Sequence, residues 1–342
     1  MIQAKSVLAD PNWFPYRLDL SRDAIQFVKI DRQAHHSTTF LDEQVLALAQ
    51  DEIVLQLDEI ERSREAAAPA DCHFIFHSAF CCSTLIARAL DIPGTAMALK
   101  EPLPLSDLGQ AALAAGNPTR FDRPLSVLLD LFARPFSPDE KVIVKPGNVA
   151  NPLIDSILRL RPDARALFVY SPLPGFLTSV AKKGLWGRGW ARRLFASLRR
   201  IPEFDAGFSE QDLWEQTDLQ IAALAWLHHQ AQFARLLKQQ PPCRIASLMS
   251  STLLERPADA LAGIGRLFSL ELDEENWKAI AEGPVFATDS KRHHEPNDPG
   301  RRLSEHAAAG DAYGEEISMV VQWTHEVAAH TGVPICLPSS LL

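Results

Sequence analysis

CHFIFHSAFCCSTLIARAL, residues 72–90, runs from an apolar stretch through a short turn to a Ser-Thr pair at the head of a helical pattern. That order is the one a phosphate-binding loop requires. The first backbone N–H groups of a helix have no partner within it and lie at the positive end of its dipole, so they attract an anion. Hydroxyls at Ser83 and Thr84 add donors. The stretch predicts a ligand carrying phosphate or sulfate. The alternative is a core strand turning into a core helix with no ligand. A nucleotide-binding loop of the GxxxxGK[ST] type is excluded as it stands, because His77, Cys82 and Ser83 occupy the positions of its two glycines and lysine.

Around that stretch the chain alternates. Apolar β-type runs at Cys72–Phe76, Ala96–Lys100, Lys141–Lys145, Arg165–Tyr170 and Cys243–Leu248 are separated by helical patterns. Nearly all-apolar strands between helices predict an α/β fold, a parallel sheet flanked by helices on both faces. In such sheets ligands bind beyond the carboxyl ends of the strands. Those ends read His77 to Thr84, Lys100-Glu101-Pro102, Lys145-Pro146-Gly147 and Ser171-Pro172. Two lysines, one carboxylate and an anion-binding loop are expected to converge.

The N-terminal residues 1–70 form an extension to a 71–342 α/β domain. The extension carries a strand-like AIQFVKI from Ala24 and an acidic amphipathic stretch from Phe40 to Arg64 that reads as one or two helices, followed by a linker at Ala66–Ala70. Further on, Leu224, Leu227, Ala231 and Ala234 follow helical spacing, and His228 and His229 on that helix read as packing or surface groups. His35-His36 and His293-His294 read the same way. A final helix near Glu316–His330 should stop at Gly332 and Pro334.

Composition bounds the function. The chain has 342 residues, an apolar fraction of 46% and a net charge of −9. The length and apolar fraction suffice for a sizeable core, while the acidic balance argues against a general nucleic-acid binder, which needs a basic footprint. No segment approaches a membrane span and the first residues lack the apolar region of a signal peptide, so a cytoplasmic location is expected. Five cysteines without CxxC spacing predict free thiols and no structural zinc. Oligomeric state leaves no mark in the sequence.

With these residues in place, the arrangement resembles the sulfotransferase family, P-loop-like enzymes that move a sulfuryl group from 3′-phosphoadenosine 5′-phosphosulfate (PAPS) to an acceptor. The family's loop reads approximately RSGSTLL, with a glutamate downstream; here Phe80-Cys81-Cys82-Ser83-Thr84-Leu85-Ile86 takes the place of the loop and Glu101 that of the glutamate. FVYSPLPGFLTSV is similar to the family's strand, turn and helix for the nucleotide 3′-phosphate, with Ser171 at the arginine position and Ser179 at the serine. RIASLMSSTLLERPADALAGIGRLFSLEL is similar to the late strand and helix. ATDSKRHHEPNDPGRRL, which contains Lys291 and Arg292, resembles the basic C-terminal loop over the cofactor. The resemblance implies a P-loop NTPase-like, sulfotransferase-type fold, a nucleotide-type anionic cofactor, and an acceptor hydroxyl whose proton Glu101 removes. A structural salt bridge is the other reading of Glu101.

Two family cations are absent, since Phe80 stands for the loop Lys or Arg and Ser171 for the 3′-phosphate Arg. Loss of one positioned donor at a transition-state charge commonly costs about 10² to 10³ in rate. Lys145, Lys100, Lys182 and Lys183 are the candidate substitutes, with Lys145 taken as catalytic. KKGLWGRGWARRLFASLRR, residues 182–200, carries seven positive charges and no acid. It reads either as a solvated helix with Trp190, Leu194 and Leu198 inward or as an electrostatic funnel. Three rivals to a transferase remain. One is a catalytically inactive binding or interaction module of the same fold, suggested by the missing cations. Another is a cysteine-dependent phosphatase, suggested by Cys82 and Arg88 at Cx5R spacing. The last is a nucleotide kinase, which lacks its loop lysine and a strand ending in Asp.

Overall fold

The computed structural model describes residues 4–63, 70–288 and 299–342, with side chains of the last segment from 312 onward. Among the described residues, eight strands fall into two sheets. β1 (Trp13–Asp19), β2 (Ala24–Lys29) and β3 (Glu52–Gln56) make an antiparallel meander. β4 (Cys72–His77), β5 (Ala96–Lys100), β6 (Lys141–Lys145), β7 (Ala166–Tyr170) and β8 (Ile245–Met249) form a parallel sheet in the order β5-β6-β4-β7-β8. This is the α/β architecture expected, with all five apolar runs as strands.

The period of two along each strand divides the interior. Phe74, Phe76, Val142, Val144, Ala166 and Phe168 face one side, while Ile75, Ile143, Leu167 and Val169 face the other. The first face packs on the helix Asp218–Gln239, where Phe233 stacks on Phe168 at 4.6 Å between ring centroids. The second packs on the helices Ser83–Ala89 and Pro257–Phe268. Because both faces are covered, these strands read as nearly unbroken apolar runs, with Ser247 and His73 as buried polar exceptions.

The chain leaves β4 for β5, returns to β6 beside β4, and then crosses to β7 on the other flank. The strand order therefore reverses at β4. At such a point the loops after neighbouring strands diverge to opposite faces and leave a crevice at the carboxyl edge. The loop after β4 sits at that reversal.

The acidic stretch of the extension departs from expectation. Glu43–Leu48 is a short 3-10 turn, Glu52–Gln56 is strand β3, and only Leu57–Ser63 is helical. Pairing of Ile53 with Phe27 and Leu55 with Ile25 on β2 overrides a helical spacing that the two β-branched residues of EIVLQ already weaken. The meander shares the main core, with Phe14, Ile25 and Phe27 contiguous with Phe74 and Phe132. A buried charge cluster also ties it down. Asp91 receives Arg32 at 2.7 Å, His36 at 3.2 Å and Lys100 at 3.3 Å, and Lys100 donates to the carbonyls of His35 and His36. These partners hold the Asp91 carboxyl down to about 2 despite its burial. Elsewhere the helix Asp218–Gln239 buries His228 and His229 as packing groups. The last helix, Pro299–Thr331, is longer than expected but stops before Gly332, whose φ is +70°. His293-His294 and most of the Ala66–Ala70 linker lie outside the described residues.

Burial lowers His228 and, furthest, three others: His35 to about 3, His73 to about 4 and His229 to about 3. Each of these three is neutral in the fold, so the unfolded chain binds more protons below pH 6.5 and stability falls as pH falls from there toward 4. Each contributes a slope of about 1.4 kcal/mol per pH unit, together approaching about 4. Urea unfolding at pH 7, 6 and 5 should show this decline. His35→Phe keeps the packing against Phe14 and Phe136 and should remove about one third of the slope; stability that is flat across this range contradicts the assignment.

Candidate functional site

The loop Ser78–Cys82 leaves β4 in an unusual backbone. Ala79, Phe80 and Cys82 all have positive φ, at 72°, 51° and 61°, and Glu101 at the end of β5 has 55°. Among the described residues seven non-glycines have positive φ, and four of them are gathered at this edge. Each costs on the order of 1–3 kcal/mol, and such strain concentrates at ligand-binding turns, where left-handed residues point successive amides into one concavity. Cys82 caps the helix Ser83–Ala89 without a side-chain hydrogen bond.

An imidazole supports the loop. The Ala79 amide donates to His77 Nδ1 at 3.1 Å, which leaves Nε2 protonated to donate to the Pro146 carbonyl at 3.0 Å. The loops after β4 and β6 are thereby joined. Asn151 adds a brace, its Nδ2 donating to the His77 carbonyl. Cys81 turns inward and donates to the Val169 carbonyl; burial pushes its thiol up to about 12 against opposing hydrogen bonds from Ser83. The Ser83 amide and hydroxyl are thus directed at the Cys81 sulfur. Ser83 and Thr84 are both buried.

Of the two lysines expected to converge, one does. Lys145, itself buried, forms an ion pair with Glu101, whose amide also donates to the Lys145 carbonyl at 2.7 Å. Glu101 keeps about a third of its side chain exposed, at 32%. Phe40 of the extension lies against the Lys145 ammonium at 5.7 Å. Gly147 leaves room beside the carboxylate, since a Cβ there would come 3.6 Å from Glu101 Oε2. Lys100 is register-paired with Lys145, but its ammonium is committed to Asp91 and the carbonyls of His35 and His36 and is no part of this edge.

Ser171 follows β7 and is buried, its carbonyl accepting from the Trp226 indole at 3.0 Å. Ser179, two helical turns on, donates to the Gly175 carbonyl at 2.8 Å. Phe80 packs edge-on to Trp190 at 5.0 Å and against Phe176 at 5.9 Å. The basic stretch forms the helix Gly184–Leu198, with Leu194 and Leu198 buried and Trp190 half-buried. Arg188, Arg192 and Arg199 are paired with Glu316, Asp218 and Glu210, so much of its charge is neutralised locally. Lys291 and Arg292 lie outside the described residues.

Three features of this edge carry no signature in the sequence: the His77 brace, the Phe40 wall and the aromatic cluster on Phe80. Each joins segments far apart in the chain. The cluster alone has a local clue in Gly184 and Gly187. Gly184 takes φ +56°, and a Cβ on Gly187 would lie 2.3 Å from the Val180 carbonyl. Only glycine permits this close crossing, which folds Trp186 and Trp190 back toward the loop. The Cx5R spacing does not assemble a phosphatase cradle, because Arg88 reaches Thr288 at 3.4 Å on the far side of its helix.

No family model and no curated protein matches this chain. Solved structures that resemble it include two sulfotransferase domains. One is the sulfotransferase domain from the Synechococcus PCC 7002 olefin synthase, at 14% identity and a TM-score of 0.40 over 70% of this chain and 85% of that one. The other is the sulfotransferase domain from the curacin biosynthetic pathway, at 13% and 0.43 over 80% of this chain and all of that one. Likenesses this distant carry no argument about chemistry. Among the described residues no helix is long and apolar enough to cross a membrane.

Burial also raises the Cys72 thiol to about 12, alongside Cys81. Iodoacetamide at pH 8 should therefore label the exposed Cys243 and Cys336 in the native protein and spare Cys72 and Cys81 until it is unfolded, as read by peptide mass spectrometry. Rapid native labelling of Cys81 would mean that the loop does not hold this conformation.

Proposed function

We propose that the carboxyl edge of the parallel sheet binds PAPS and transfers its sulfuryl group to an acceptor hydroxyl. The observation that supports this most is the meeting of the strained Ser78–Cys82 loop with the partly exposed Glu101 and its buried partner Lys145 at the reversal of strand order. The residues present fit an anion. Ser78 Oγ at the start of the loop and Asn148 Nδ2 just past Gly147 are buried polar atoms without a partner, a costly state that a ligand would relieve.

When bound, the donor supplies an activated sulfuryl group on a nucleotide phosphate. The amides of Cys81, Cys82 and Thr84 would hold its anionic oxygens, joined by the Ser83 amide once it leaves the Cys81 sulfur, with the Phe80 backbone shaping the turn. Glu101 would take the proton from the attacking hydroxyl at its exposed carboxylate oxygen. Lys145 orients that carboxylate and adds positive charge at the edge. Ser171 and Ser179 would face the 3′-phosphate; Ser179 must first rotate its hydroxyl from Gly175, a single torsion. Lys291 and Arg292 would close over the nucleotide.

A catalytically inactive binding module of the same fold is the second reading, favoured by Phe80 and Ser171 at the two cation positions. Glu101→Gln separates the two. A thermal-shift titration with adenosine 3′,5′-bisphosphate at a hundred times its Kd should stabilise both wild type and variant by about 2.7 kcal/mol. Sulfuryl transfer from PAPS to a panel of hydroxyl acceptors should occur in wild type and be lost in the variant. Binding without transfer in either supports the module, and absence of any shift removes the nucleotide site.

A further inference from the structure

The charge missing from position 80 is present in space, supplied by another segment. Lys183 Nζ lies 5.6 Å from the centroid of the Phe80 ring and 5.2 Å from the Trp186 ring, within cation–π range of both. Phe80 is itself held by Phe176 and Trp190, so its ring is a fixed platform for the ammonium. The Gly184 turn and the close crossing at Gly187 bring Lys183 and Trp186 to it. Several other candidate cations are engaged elsewhere: Lys145 on Glu101, Lys100 on Asp91, and Arg188, Arg192 and Arg199 on their own carboxylates. Lys183 is exposed and ends a flexible four-carbon stem, so its ammonium can move from the ring toward an anion in the adjacent loop while remaining near the aromatic surface.

We propose that Lys183, carried between Phe80 and Trp186, is the positioning cation for the sulfate or phosphate of the bound nucleotide, replacing in space the basic side chain that residue 80 lacks. This rests on the PAPS-site reading above. It assigns the aromatic residue at position 80 a role, since a ring there holds a cation delivered from the next helix pair instead of carrying one.

The test is titration calorimetry of the full chain with adenosine 3′,5′-bisphosphate at several salt concentrations, comparing wild type, Lys183→Met, Lys183→Arg and the double variant Phe80→Lys with Lys183→Met. Lys183→Met should weaken binding about ten- to a hundredfold, as loss of one charge-assisted contact does, and flatten the salt dependence. Lys183→Arg should stay within about threefold of wild type, since it keeps the charge and the stacking. Returning a lysine to the loop in the double variant should recover most of the affinity, a rescue that a merely structural Lys183 would not give. Wild-type affinity in Lys183→Met, with melting temperatures unchanged, overturns the role of Lys183 and leaves the nucleotide site standing. No binding by wild type overturns the site and this role together.

Discussion

His77 accepts the Ala79 amide at one ring nitrogen and donates to the Pro146 carbonyl at the other, and the candidate site depends on this bridge between two loops. One loop carries the left-handed residues Ala79, Phe80 and Cys82; the other follows Lys145. Without the imidazole, non-glycine residues would have little reason to stay in a conformation that costs each of them energy. The parallel sheet sets the frame and His77 sets the spacing within it. Glu101 then completes the edge, its own strained backbone pinned by the Lys145 carbonyl.

Charge is sorted sharply across the molecule. The acidic chain uses its cations mostly for structure. Lys100, Arg32 and His36 fasten the N-terminal meander to the sheet through Asp91, and the arginines of the basic helix meet acids on neighbouring segments. An acidic protein with an anionic ligand must still place positive charge at the point of contact, because screening at physiological salt confines electrostatic help to roughly 8 Å. In the proposed site Lys145 and Lys183 would meet that need, one buried behind the carboxylate and one held on aromatic rings.

The extension is part of this design. Phe40 lies on the Lys145 ammonium, and the Leu41 amide donates to the Lys100 carbonyl at 2.7 Å. Residues before the sheet thus finish a wall of the site, and their core is continuous with that of the parallel sheet.

The five parallel strands were legible because burial on both faces imposes an unbroken apolar run, and the crevice followed from where those runs end. The meeting of Glu101 and Lys145 was legible for the same reason, since both sit at the carboxyl end of a strand. β3 was not, since its pairing with β2 depends on a partner distant in sequence and its acidic flanks mimic a helix. Lys100 was misplaced because its ammonium is taken by Asp91 and two carbonyls of the extension, partners that carry no local signal. The His77 bridge and the Phe80 platform were illegible altogether: each is a contact among segments that only the folded chain brings together, and a histidine or phenylalanine in a loop has no periodicity to betray it.

The central claim is that the amides from Cys81 to Thr84 grip an anionic oxygen group in an open crevice facing Glu101. A crystal structure of the protein with adenosine 3′,5′-bisphosphate tests it most directly. The 5′-phosphate oxygens should lie about 3 Å from those amides, with Glu101 across the crevice. A nucleotide seated elsewhere, or a complex in which the Ser83 amide stays on the Cys81 sulfur, would contradict it.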